Sequence, residues 1–421
     1  MENYSVVLFL LAIMIGLSAV ADRSKIPYPV LLIIAGIGIG FIPALPVIEL
    51  DSHVVFLLFL PPLLYDAAFN IEFKEFRTHL NTISTLAISL VFLSTTGIAV
   101  AAHYLIPGMS WPVSFVLGAI LSATDAVAAI GTTKGLGLSH KTTTILEGES
   151  LVNDASALVA YRFAVAAVAG TVFVLWKATI EFVILLGGGF LVGMIMARLL
   201  AFVLGRVKHN SMVQISFMLL MPFVTYLVAE ELHVSGVIAV VIIGLGIARF
   251  SKKIFPEELK QQSKAIWDTI IFLLNGLIFI LIGLQLPYVV KTFDSATIAL
   301  YTGYAVVITL VMIVIRFVRV FLQRSNLQRA FLKRHRFMSR EALLDVKTSL
   351  IISWAGMRGI VSLAIAIGLP LTLTNGEPFP HRNEIIFISV MVVLITIVGQ
   401  GLTLPWLVRT LDKPAPIRKK K

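Results

Sequence analysis

The 421 residues are 58% hydrophobic and only 14% charged, against roughly 25% charged in soluble domains, which excludes a soluble enzyme. Cysteine is absent, so disulfides, thiolate nucleophiles and thiolate metal sites are excluded too. The net charge of +11 could suggest a nucleic-acid partner, but its distribution is that of a membrane protein, and no nucleic acid is expected.

Apolar runs long enough to cross a bilayer core recur from end to end. They predict about thirteen spans, at 4–21, 28–48, 53–69, 82–106, 113–132, 147–170, 180–204, 212–230, 235–249, 266–287, 297–321, 348–373 and 384–409. The first has no basic n-region and no small-residue cleavage site, so it is expected to be a retained helix. Of the 34 Lys and Arg residues, 26 fall in the connections that follow odd-numbered spans, counting Arg249 and Arg409 at the very ends of two of those spans, and 3 (Lys177, Lys291, Arg382) on the other side. Arg162, Arg198, Arg316, Arg319 and Arg358 lie within spans. This asymmetry predicts a multi-pass protein of the plasma (inner) membrane with its N-terminus outside and its C-terminus cytoplasmic. The connection 322–347 is basic and amphipathic and is expected along the cytoplasmic surface. The last residues, 410–421, read as a short basic cytoplasmic tail with no regulatory domain.

Two spans look broken. The fifth contains LSATDAVAAIGTTKG and the twelfth ISWAGMRGIVSLAIAIGLP. Interrupted hydrophobic segments at matching places of two halves mark a transporter site at the membrane midplane. Their separation by seven spans fits a first repeat at 4–170, a linking helix at 180–204 and a second, inverted repeat at 212–409. The fold class expected is therefore an all-α polytopic membrane protein with two inverted six-helix repeats whose broken helices cross at the midplane.

The stretch EGESLVND, 147–154, places three carboxylates beside an apolar run. A charge at bilayer depth costs about 2.5–3.5 kcal/mol on the lenient scale, so such residues are read as functional. Residues four apart share a helix face, so Glu149 stacks with Asn153, and Ser150 with Asp154. Ser150 and Asp154 offer hard oxygens for a small cation, whereas Glu149 and Asn153 could receive a buried arginine. Glu147 reads as a carboxylate at a helix start. In span 5, Thr124 and Asp125 could supply cation ligands, or Asp125 could cap a half-helix. Arg358 in span 12 would offset the end of the opposing broken helix. Arg316 must find an anionic partner or snorkel, and Arg319 lies nearer the cytoplasm. Asp66 reads as interfacial or functional with equal weight, and Asn275 with Gly276 and Gly283 as helix packing.

Taken together, SATDAV, EGESLVND, FLLNGLIFILIGLQLP and WAGMRGIVSLA, in this order, closely resemble the monovalent cation/proton antiporters of the sodium–proton exchanger type, over about residues 5–410. The resemblance implies a homodimer of thirteen-helix protomers, each with a dimer domain and a mobile six-helix core. It implies that Asp154 binds cation and proton in turn, with Asp125, Thr124 and Ser150 as cation ligands and Glu149 nearby. An arginine of the eleventh helix, Arg316 or by a one-turn shift Arg319, would pair with Glu149 and Asn153. Many relatives carry Thr-Asp-Pro where this chain has Thr124-Asp125-Ala126. Members with asparagine at the place of Asn153 are generally electroneutral, which points to one-for-one exchange.

The mechanism expected is competition of sodium (or lithium) and protons for Asp154, with alternating access, no cofactor and no ATP; no P-loop is present. A potassium/proton antiporter would use the same oxygens. A cation channel would differ by ignoring the proton gradient. An intramembrane aspartyl protease would share Tyr65-Asp66, but the GxGD half of that signature is missing.

Overall fold

The computed structural model describes residues 3–21, 26–42, 52–133, 135–170, 175–207, 210–291, 293–333, 340–373 and 376–412. Each of the thirteen predicted spans is one helix or one interrupted pair. The first three are α1 (Asn3–Ala21), α2 (Tyr28–Gly40) and α3 (Ser52–Asn70). The fourth joins α4 (Phe73–Ser84) to α5 (Val91–Leu105) through a π-helical turn at Thr85–Leu90. The fifth is the pair α6 (Trp111–Ser122) and α7 (Ala126–Thr132), bent by 41°. Then follow α8 (His140–Val168), α9 (Leu175–Arg206), α10 (Ser211–Glu231), α11 (Gly236–Ile254), α12 (Glu257–Val290) and α13 (Ser295–Lys333). The twelfth span is α14 (Val346–Trp354) and α15 (Ile360–Ile367). The thirteenth joins α16 (Arg382–Ile395) to α17 (Gly401–Asp412) through a second π-helical turn, Thr396–Gln400. Among the described residues, seven continuous helices are long and apolar enough to cross a bilayer, and eight counting the bent pair α6–α7.

Two of the boundaries that differ from the sequence reading change how the charged segments are read, each for a local reason. Ser139 caps α8 by accepting the Thr142 N–H at 3.2 Å, so the helix begins seven residues before the expected 147. Glu147 is therefore well inside α8 and not at a helix start. Residues 322–333 continue α13, because nothing after Gly303 interrupts the helical run; only the remainder of 322–347 is a connection. Residues 334–339 of that connection, and 413–421 of the basic tail, lie outside the described residues.

Side-chain packing divides the bundle. One apolar core joins α3, α9, α10 and α11 with Leu151 and Ala155 of α8 and the Leu259–Trp267 end of α12. The other runs through α2, α5, α6, most of α12, and α13 to α17. Gly36 of α2 and Gly283 of α12 let those helices cross so closely that a Cβ on either would collide with the facing backbone, at Ile280 O and Ile33 O. Gly276 likewise faces Met14 and the Tyr28 hydroxyl, which matches the packing role read from the sequence.

Candidate cation site

Both breaks exist, and they meet. The chain leaves helical geometry at Ala123-Thr124-Asp125 and again at residues 355–359, and the Asp125 N–H donates to Met357 O across the crossing at 2.8 Å. The first break does not need the missing proline. Asp125 ends the helical run itself: its Oδ1 accepts the N–H groups of Val127 (2.8 Å) and Ala128 (3.1 Å), a helix N-cap. Ala126 then occupies the first helical position, where proline is well accommodated. Gly359 lies so close to the Asp125 side chain that a Cβ there would overlap its carboxylate. Asp125 thus sits where the starts of α7 and α15 converge.

The half-helices that end at the crossing leave carbonyls without intrahelical donors, and each meets an arginine. Arg358 Nε donates to Leu121 O of α6 at 2.7 Å, and one terminal nitrogen reaches Gly356 O at 2.6 Å. Arg316 Nε donates to Ile352 O of α14 at 2.9 Å. The Arg316 guanidinium also clasps Glu149 with two bonds, at 2.5 and 2.8 Å, with both residues 3% exposed or less. Gly356 makes room for it, since a Cβ there would collide with the Arg316 side chain. Arg319 points elsewhere and donates to Ser89 Oγ at 3.2 Å.

Thr124, Ser150 and Asn153 hold the break in place. The Thr124 hydroxyl donates to Glu149 Oε1 at 3.0 Å and accepts from Asn153 Nδ2 at 2.5 Å. Asn153 therefore reaches Thr124, not Arg316, because the Thr124 hydroxyl lies between it and the Glu149 carboxylate. The Ser150 hydroxyl donates to Thr124 O at 3.0 Å and accepts the Ala126 N–H at 3.4 Å. The hydroxyls of Thr124 and Ser150, read as cation ligands, are both engaged in this scaffold.

Asp154 is different. It is 6% exposed, and no donor or cation reaches its carboxylate among the described residues. It lines a cavity of about 280 Å³ together with Thr124, Asp125, Ser150 and Asn275. Asp66, Asn70 and Glu147 line both this cavity and a wider one of about 530 Å³, which reaches His140, Lys260 and Lys264. Asp66 accepts from Asn70 Nδ2 at 2.9 Å at this neck. The sequence left Asp66 undecided and assigned Glu147 to a helix start. The i, i+3, i+7 spacing of Glu147, Ser150 and Asp154 was the available signal, since it puts all three on one stripe of α8.

A family model described as "Sodium/hydrogen exchanger, transmembrane" matches residues 7–410. The sodium, potassium, lithium and rubidium/proton antiporter of Bacillus pumilus is 34% identical over 427 residues, covering 98% of this chain and 62% of that protein. The sodium/proton antiporter NhaH of Halobacillus aidingensis is 31% identical over 420 residues, covering 96% of this chain and 97% of its own. The solved structure of the sodium proton antiporter MjNhaP1 from Methanocaldococcus jannaschii superposes with a TM-score of 0.71, covering 97% of this chain and 98% of that one. At 19% identity this likeness establishes the fold.

Proposed function

Because the chain belongs to the sodium/hydrogen exchanger family of cation/proton antiporters, transporters and not enzymes, we propose that it exchanges sodium or lithium for protons one for one, with Asp154 holding either the cation or the proton. The observation that carries this reading is the enclosed Asp154 carboxylate, which lacks any partner within the protein among the described residues and lies in a cavity that shares Asp66, Asn70 and Glu147 with the wider cavity, the vestibule. Glu149 is committed to Arg316 and Asp125 to the α7 amides. Of the three carboxylates at the crossing, Asp154 is the one without such a partner and is free to trade ligands.

A proton neutralises the carboxylate by a covalent bond, and a cation does so by coordination; the two states exclude each other. Neutralising it by either route removes the cost of carrying a bare charge past apolar walls. Asp125 and backbone oxygens freed at the helix break would complete the cation's shell, and rotation of the Thr124 and Ser150 hydroxyls could add theirs. Asn153 carries no titrating proton, so one carboxylate serves one ion.

In this reading the protein is a homodimer of the plasma membrane with the N-terminus outside and the C-terminus cytoplasmic. Residues 4–170 and 212–409 form inverted repeats joined by 180–204, with the vestibule facing the cytoplasm. A second reading concerns cation choice. The Bacillus relative is named for four alkali cations, and potassium could use the same oxygens here. Proton flux in proteoliposomes challenged with each cation in turn decides between them. Asp154→Asn should abolish flux with every cation while leaving the purified protein folded and monodisperse. Sodium-driven proton flux at wild-type rate in that variant overturns the mechanism.

A further inference from the structure

The vestibule opens at one end of the bundle, and a charged contact lies toward the other. Arg162 sits on α8 fifteen residues beyond Glu147, about 22 Å along the helix at 1.5 Å per residue. Its terminal nitrogen donates to Glu230 Oε2 at 3.3 Å. The other oxygen of Glu230 accepts the N–H of Gly236, the first residue of α11, at 3.3 Å. Glu230 therefore ties together the short turn between α10 and α11, where His233 adopts a left-handed φ of 55°. A Cβ on Gly236 would press on the Tyr226 ring and on this carboxylate. Glu230 is thus held by α10 and α11, which pack with α3 and α9. Arg162 is carried by α8, the helix that bears Asp154 and packs on α6 and α7.

The pair joins the helix of the exchange carboxylate, which bridges both apolar cores, to the α10–α11 turn, at the end away from the vestibule. Exposing Asp154 to that end requires α8 to move against α10 and α11, and the pair must then part. We propose that Arg162 and Glu230 form a latch that positions α8 with the vestibule open and sets the balance between the two access states. The inference rests on the alternating-access reading, and neither residue takes part in the exchange chemistry. Their side chains are 42% and 32% exposed, so the latch biases the balance and does not lock it. Pairs of this kind shift an equilibrium by roughly two- to fivefold.

The absence of cysteine supplies the test. Thr143 lines the vestibule, so Thr143→Cys gives a single thiol there. The rate at which a membrane-impermeant thiol reagent labels it in proteoliposomes reads out how much of the protein has the vestibule open. Arg162→Ala and Glu230→Gln should each lower that rate by about two- to fivefold. They should also raise KM for cation offered at the vestibule side and lower it at the other side. The exchanged pair Arg162→Glu with Glu230→Arg should restore the labelling rate, which a loss of packing alone could not do. Unchanged labelling in both single variants overturns the latch, as does failure of the exchanged pair to recover in a protein that still folds. If wild-type protein showed no cation/proton flux, the exchange reading would fail. Labelling would still report on the latch separately.

Discussion

Arg316→Ala strips a buried carboxylate of its counter-charge. Glu149, 1% exposed, would lose both guanidinium bonds and keep only the Thr124 hydroxyl, while Ile352 O at the end of α14 would lose its donor. Removing one member of a buried pair typically costs about 3–5 kcal/mol, because the other charge is stranded. The exposed Arg162–Glu230 pair supplies an internal comparison; deleting it should cost no more than about 1 kcal/mol. Thermal unfolding in detergent, followed by the loss of monodisperse protein, should therefore rank wild type slightly above Arg162→Ala and both far above Arg316→Ala. The double variant Arg316→Met with Glu149→Gln leaves no unpaired charge, so its loss should be smaller than the sum of the singles by about 0.5–3 kcal/mol. Strict additivity, or an Arg316→Ala protein as stable as Arg162→Ala, would refute the claim that this pair holds the crossing together.

Gly359→Ala pushes a Cβ into the Asp125 carboxylate; overpacking of this kind costs about 1–3 kcal/mol. Exchange should fall with stability, whereas Gly16→Ala, with nothing within 4 Å, should leave both unchanged or slightly improved, as melting and flux measurements on the two variants would reveal. One-for-one exchange moves no net charge, although a single charge crossing 100 mV would be worth about 2.3 kcal/mol. Sodium–proton exchange in proteoliposomes clamped at several voltages should therefore be flat, and a slope would bring in Asp125 as a second proton carrier.

Periodicity and the positions of Gly, Asp and Arg made most of the helical order legible, including both breaks and the face shared by Ser150 and Asp154. The choice between Arg316 and Arg319 was not legible. One turn of a continuous helix separates them, and the space Gly356 leaves across the crossing decides between them. The Asn153 contact was hidden for a similar reason. Spacing along α8 puts Asn153 with Glu149, but the hydroxyl between them comes from Thr124 on the broken span. The vestibule was out of reach altogether, because its walls come from α3, α8, α11 and α12, and no local pattern encodes their convergence.

Five ionisable side chains gather where the broken helices cross: Arg316 and Arg358, against Glu149, Asp125 and Asp154. Their formal charges leave one negative charge over. One alkali cation cancels it, and so does one proton, whereas an empty crossing keeps a full charge in apolar surroundings at a cost of several kcal/mol. On the proposed mechanism the unloaded protein is therefore the one form for which crossing between access states would be penalised. In the proposed exchange, where neither ion leaves on one side without another being taken up before the return, the same imbalance that admits a single ion would also suppress leak, and coupling would follow from the inventory of fixed charges without any separate gate.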